Sequence, residues 1–244
     1  MTHHRVLVSS PIQVGSSIQI AGDEAHHALR VRRLAAGAVL ELLDGEGAVG
    51  LGVVEATDKR GKHDWVMQVR VDEVRHVPAP RPRLEVCASA PKGEASEQLV
   101  DQLSQVGAWS WSPLACARTE VDPREGKLER LERHAREASK QCGRAWRLRV
   151  EPRILLADAL ADRGAALVLA HVSGTPYQAC GAERIRLLVG PVGDFEDREI
   201  EAARLAGARV ASFGVHVMRI ETACVAAAAV ILDHEGRVRS ASRT

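Results

Sequence analysis

Ile185-Arg186-Leu187-Leu188-Val189-Gly190-Pro191-Val192-Gly193-Asp194-Phe195 decides the fold. A short apolar run passes into a turn of glycine and proline, and a charged helix-forming stretch over 196–205 follows before Gly207. Apolar residues at successive rather than alternate positions are what a strand buried on both faces of a parallel sheet requires. The same pattern recurs on either side: Ala166-Leu167-Val168-Leu169-Ala170 and Leu84-Glu85-Val86-Cys87 upstream, and residues 208–213 downstream. Helices are predicted over 94–106, ended by Gly107, over 128–142, ended by Gly143, over 196–205, and from about 222 to 233. Strand–helix alternation of this kind implies a mostly parallel sheet covered by helices.

Before residue 78 the pattern is different. Residues 6–8, 17–20, 39–43, 49–57 and 65–77 read as short strands, and Asp44-Gly45-Glu46-Gly47 is the turn expected between two paired ones. One helix interrupts them, capped by Gly22-Asp23, with Ala25, Leu29 and Leu34 as its apolar positions and Gly37 as its stop. This region predicts a small β-barrel. Pro78-Ala79-Pro80-Arg81-Pro82-Arg83 is extended and stiff, as alternating prolines dictate, and serves as a linker. The expected division is a β domain over 1–77, a linker over 78–83 and an α/β domain over 84–244.

Composition narrows the classes of partner. With 3% aromatic residues, a nucleic-acid surface cannot depend on rows of stacking rings. A net charge of +1 leaves phosphate binding to local clusters, of which Arg30-Val31-Arg32-Arg33 and the run of Lys140, Arg144, Arg147 and Arg149 are the candidates; solvated helix faces account for them equally well. The 5 cysteines are scattered without a C-x-x-C, which argues against a zinc site or disulfide framework and suits a reducing cytosol. His3-His4 and His26-His27 are adjacent pairs that project apart, so no metal site is expected. The first residues lack the apolar core of a signal peptide, and no apolar run approaches the roughly 18 residues of a membrane span. A cytoplasmic protein with no membrane association is expected.

Two loops carry the candidate chemistry, each at the carboxyl end of a predicted strand, where ligands bind in open α/β sheets. In the first, 189–195, the glycines let backbone approach a ligand closely and Pro191 stiffens the turn; Asp194 with Asp197 also resembles a helix-capping pair. In the second, 213–223, apolar Val217 and Met218 could cover an adenine, and Arg219 and Glu221 place opposite charges at a helix start. An ion pair or a cap would explain those two charges as well. The following Ala226, Ala227, Ala228 and Ala229 allow a close approach of whatever packs on that helix.

These two loops, in this order and spacing, resemble the signature of the RsmE family, bacterial methyltransferases that modify N3 of a uridine in 16S rRNA. Gly22-Asp23-Glu24-Ala25-His26-His27 with Leu29-Arg30-Val31, then Leu43-Asp44-Gly45-Glu46-Gly47, Pro91-Lys92-Gly93 and residues 137–144 match as well, so the resemblance covers nearly the whole chain. It implies an N-terminal PUA-like barrel followed by a SPOUT domain, a parallel-sheet fold tied in a trefoil knot whose loops bind S-adenosyl-L-methionine (SAM). Carried over by position, the cofactor-binding residues are Leu169, Ala170 and His171; Gly190, Pro191, Val192 and Gly193; and Phe213, Gly214, Val217, Met218 and Arg219. It also implies a homodimer, with the alanine-rich helix against the knot and the partner, and 16S rRNA or the small ribosomal subunit as substrate.

The chain departs from the family pattern within these loops. Val192 stands where the family has Glu and Asp194 where it has a second Gly; Val215 replaces a Pro and His216 an Arg. Transfer of a methyl group to a uridine N3 needs alignment of the reactants and removal of an imide proton. Arg219 is the candidate for stabilising the developing anion or gripping RNA, and Glu221 for orienting Arg219 or accepting the proton. Arg30, Arg32, Arg33, Lys92, Lys140 and Arg144 are the candidate phosphate contacts. A SPOUT methyltransferase with another RNA target, and a non-catalytic RNA-binding or ribosome-assembly factor of the same fold, are the competing readings.

Overall fold

The computed structural model describes residues 3–59, 61 and 64–241; the outermost residues of the two predicted domains, 1–2 and 242–244, lie outside these. The chain forms two compact units, Met1–Ala79 with Ser139–Arg147, and Pro80–Ala138 with Leu148–Thr244. The segment 139–147 thus departs from the simple two-block division expected of the sequence.

In the first unit, β1 (His4–Leu7), β2 (Ser17–Ala21), β3 (Val39–Leu43), β4 (Ala48–Lys59) and β5 (Trp65–His76) form one sheet in the order β1-β3-β4-β5-β2. Only β1 with β3 is parallel. Alternation sets the faces: Ile18, Ile20, Leu40 and Leu42 point into the core while Ser17 and Gln19 stay exposed. The β3–β4 turn is held by Asp44, whose Oδ1 accepts the Glu46 and Ala48 N–H groups at 2.7 and 2.9 Å. Gly47 (φ +107°) has a second reason to be glycine, since a Cβ there would lie 2.6 Å from the Trp146 ring. Trp146 donates its indole N–H to the Val77 carbonyl (2.8 Å) and packs with Leu43, Val49 and Ala145. Arg5 pairs with Glu41 and donates to the carbonyls of Lys140 and Gln141, so residues 139–147 are fastened by core and polar contacts alike.

The helix expected within residues 1–77 differs from expectation. It comprises α1 (Gly22–His26) and a widened π turn over His27–Val31, ended by Arg33 in the left-handed conformation (φ +57°). The widening keeps Ala25, Ala28 and Leu29 all buried. No side chain caps the start: Ala21 occupies the cap position and Asp23 lies already in the first turn.

The second unit runs β6 (Arg83–Ala88), α2 (Ala95–Val106), β7 (Ser110–Ala115), α3 (Glu125–Cys142, its last residues from 139 on falling in the first unit), β8 (Arg149–Val150), β9 (Ile154–Leu155), α4 (Leu156–Ala161), β10 (Ala166–Pro176), β11 (Arg184–Val189), α5 (Asp197–Leu205), β12 (Arg209–Ser212) and α6 (Ile220–Ala241). Every pairing in its sheet is parallel, in the order β12-β10-β11-β6-β7-β8, with β9 also on β7. The continuous apolar strands fill both faces. Ile185, Leu187 and Val189 join one core with Leu99 and Leu103 of α2 and Ala227, Ala228 and Ile231 of α6. Leu167, Leu169 and Leu188 join the other with Leu160 of α4 and Ile200 and Ala203 of α5. Removing a leucine buried this fully costs about 2–5 kcal/mol.

Helix α6 starts earlier and ends later than its alanine run alone predicts. Near its end lies a wholly buried carboxylate, Glu235. It accepts the Tyr177 hydroxyl (2.7 Å) and the Cys180 and Gly181 N–H groups (2.7 and 3.0 Å). Burial opposes its ionisation, but these donors outweigh that, and its pKa is held below the usual carboxylate value. Tyr177 in turn stacks on Phe213, with ring centroids 5.7 Å apart.

Candidate active site

The carboxyl ends of β6, β10, β11 and β12 open into a cavity of about 710 Å³, a size that suits a nucleoside-sized ligand. Its walls come from Ser89 to Lys92, from Ala170 to Val172, from the loop after β11, and from the loop joining β12 to α6.

The loop after β11 is tied down. Asp194 N–H bonds back to the Pro191 carbonyl (3.0 Å), closing a turn, and Asp194 itself takes a left-handed backbone (φ +62°), unusual for a residue with a side chain. Its Oδ1 accepts the Phe195 N–H at 2.8 Å, and its Oδ2 lies 3.3 Å from His171 Nε2. From the β7–α3 connection, Arg118 donates to the Gly193 carbonyl and stands 3.9 Å from Glu196. Glu196, not Asp194, caps α5, in a reciprocal capping box with Glu199, so the expected Asp194–Asp197 cap is replaced by one that begins two residues later. Phe195 is buried beneath the loop, and a Cβ on Gly190 would come 3.1 Å from its ring, a tight approach that favours glycine there.

The loop between β12 and α6 is open. No hydrogen bond among the described residues uses the N–H groups of residues 214–218, which stay available to a ligand edge. Val215 and Val217 are 90% and 84% exposed, an apolar surface with nothing of its own unit over it. Arg219 is exposed beside the cavity, and no ion pair joins it to Glu221 among the described residues.

The structure therefore gathers Ala170, His171, the 190–193 turn, Phe213, Gly214, Val217, Met218, Arg219 and Glu221 around one cavity. Leu169 is different: its side chain is fully buried in the core under α5. Lys92 stands at the cavity in an ion pair with Glu120. Arg118 and Asp194 are site residues that the sequence did not single out as such. Arg118 lies in a segment without a motif, whereas an Asp directly after the Gly of a strand-to-helix turn was a readable signal.

Residues 78–232 match the family model described as an RNA methyltransferase domain, and residues 20–63 the model of an RNA methyltransferase PUA domain. The chain belongs to the RNA methyltransferase family. Within it, a Mycobacterium bovis relative, ribosomal RNA small subunit methyltransferase E, is 31% identical over 87% of this chain and 85% of its own length. A probable rRNA-methyltransferase of Porphyromonas gingivalis shares the fold with a TM-score of 0.78 at 29% identity, covering 88% of this chain and 92% of that one. A putative methyltransferase of Legionella pneumophila, solved with bound SAM, superposes with a TM-score of 0.81 at 22% identity over 94% of this chain and 97% of its own.

Read as the PUA domain of an RNA methyltransferase, the first unit shows where its cations stand. Arg30, Arg32 and Arg33 are exposed around the end of the π turn. Lys140 is 13% exposed and pairs with Glu24 at 2.6 Å, and Arg144 is partly buried, which draws its pKa downward. These last two are built into the unit rather than displayed on it. His4 senses the local positive field: burial first, then His27, Arg32 and Lys140, lower its pKa to about 4.

Proposed function

We propose that this RNA methyltransferase transfers the methyl group of SAM to N3 of a uridine in 16S rRNA, acting in the cytoplasm as a homodimer. The observation that carries the reading is the cavity at the carboxyl ends of the parallel strands, walled by two glycine-bearing loops and flanked by Arg219, a cation with no protein partner among the described residues. The fit to SAM rests on the volume, on the apolar Val217 and Met218, and on the unbonded N–H groups of 214–218, which suit the face and edge of an adenine. When bound, SAM supplies an activated methyl group on a sulfonium.

In this reading the backbone of 190–193 and 213–218 holds the cofactor, with Ala170 and His171 on the β10 side. Alignment by these walls supplies much of the rate. Arg219 grips the substrate and stabilises negative charge developing on the uracil as its N3 proton leaves, and Glu221 orients Arg219 or takes that proton. Arg30, Arg32, Arg33 and Lys92 contact RNA phosphates, with Lys140 and Arg144 as support within the PUA domain. The SPOUT trefoil knot and a dimer contact through the half-exposed Val225, Ala226 and Val230 of α6 belong to the same proposal.

Mass-spectrometric mapping of rRNA from a deletion strain tests it. Loss of one N3-methyluridine from 16S rRNA, restored by the wild-type gene, is expected. An unchanged modification profile would refute methyl transfer to rRNA, and loss at another kind of base would refute the uridine assignment.

A further inference from the structure

We infer that Asp194 is the charge partner of the cofactor's sulfonium, so that the site holds the charged methyl donor more tightly than its neutral product. The inference rests on the SAM reading above. Its starting point is a conformation: Asp194 has a left-handed backbone, which a glycine would adopt without strain, yet it carries a carboxylate into the cavity wall. A local role in the turn accounts for one of its oxygens, Oδ1, which accepts the Phe195 N–H. The other, Oδ2, reaches out of its own loop to His171 on β10.

The ring of His171 is oriented by its other contacts. Its Nδ1 accepts the Ser173 backbone N–H at 3.1 Å, a donor that cannot reverse, and lies 2.7 Å from the Ser173 hydroxyl. Nδ1 is thereby engaged by Ser173, which leaves Nε2 as the ring atom that faces Asp194. Asp194 thus accepts one hydrogen bond, from the Phe195 N–H, with His171 Nε2 3.3 Å from its other oxygen, and among the described residues no lysine or arginine pairs with it. Of the other cations at the cavity, Lys92 pairs with Glu120, Arg118 bonds the Gly193 carbonyl and stands near Glu196, and Arg219 has no partner among the described residues. A carboxylate without a lysine or arginine partner among the described residues thus stands, 44% exposed, at the wall of a largely apolar cavity.

Methyl transfer changes the charge that this carboxylate would see. The carbon–sulfur bond breaks with its electron pair kept by sulfur, the methyl forms its new bond to the uracil nitrogen, and the sulfonium becomes a neutral thioether. A carboxylate in the wall therefore favours the donor before transfer and ceases to do so afterwards, which speeds exchange of product for fresh cofactor.

Calorimetric titration of the full-length protein with SAM and with S-adenosylhomocysteine separates this role from a structural one. Asp194→Asn keeps the shape and tolerates the left-handed backbone; Asp194→Gly removes the side chain and relieves the backbone. Both should lose about tenfold or more in SAM affinity, the equivalent of one charge-assisted contact, while the affinity for the neutral product changes less than about threefold. Sinefungin, which carries an ammonium near the position of the sulfonium, should lose affinity as SAM does. Equal losses for SAM and its product, or no loss for either, overturn the charge role. A wild-type protein that binds neither ligand overturns the SAM reading itself, a result distinct from both.

Discussion

The two loops that wall the cavity share a position at strand ends and differ in everything that holds them. The 190–194 turn is fixed from three sides: by its own turn bond, by Arg118 on the Gly193 carbonyl, and by the Asp194–His171 contact, with buried Phe195 beneath. The 213–219 loop is fixed only at its ends, where Phe213 stacks on Tyr177 and Arg219 offers its carbonyl to the first turn of α6. Between those ends its N–H groups are unspent and its valines face solvent. The first loop is held by bonds of its own, and the second leaves its N–H groups and apolar side chains free for a ligand. In the proposed function, one wall would set where the cofactor lies and the other would adapt to cofactor and substrate together.

The sharpest way to break the contrast is to disturb the rigid wall. Gly193 has φ +87°, and a Cβ there would meet little besides Arg118 Cδ at 3.7 Å. Gly193→Val therefore fails through backbone strain and intrusion toward the cavity rather than through a clash with the core. The expected outcome is a folded protein, judged by circular dichroism, with no calorimetric SAM binding; unchanged affinity would remove this loop from the cofactor site.

Next in size is Arg219 on the open loop. If it stabilises the uracil anion, Arg219→Ala lowers turnover by about 10²–10³ while SAM affinity stays within a few-fold. Arg219→Lys restores part of the rate if charge suffices and none if the planar fork is needed. Wild-type methylation by Arg219→Ala would move the catalytic assignment elsewhere.

The smallest effect is expected at the anchor of the open loop. Glu235→Gln leaves one of the three donors poorly matched beside Tyr177, at a cost of about 1–2 kcal/mol in urea denaturation at pH 7. Its pH dependence has a defined sign. The folded-state pKa of Glu235 is lowered from an ordinary value of 4.5, so its contribution is complete above that pH and is lost as pH falls through the lowered folded value. The stability gap between wild type and Glu235→Gln should narrow on acidification below about pH 4.5. A gap independent of pH would mean that the carboxylate's charge is not what holds the segment 177–181.

Strands buried on two faces and the hairpin around Asp44 were legible because their patterns are local. The span predicted for β3 coincides with the one observed, and β6, β10 and β11 lie where their apolar runs are. β7 was not legible, because Ser110-Trp111-Ser112-Pro113-Leu114-Ala115 carries a proline in a central strand. Pro113 is tolerated there because it falls between the short outer pairings with β8 and β9, where no ladder bond is asked of its nitrogen. The π turn, the Glu196 cap and the burial of Lys140 and Arg144 depend on what each residue packs against, which no single-sequence pattern carries. In the site, the glycine loops were readable, whereas Asp194's reach to His171 joins segments more than twenty residues apart.

The nine residues 139–147 have a consequence for dissecting the molecule. A gene fragment that stops at Ala79 would encode every strand of the PUA unit and still omit Trp146, the ring for which Gly47 makes room. Such a fragment would expose Leu43 and Val49 and leave the Val77 carbonyl without its donor. The N-terminal unit is therefore not a portable cassette, and a soluble version requires grafting the 139–147 segment onto it.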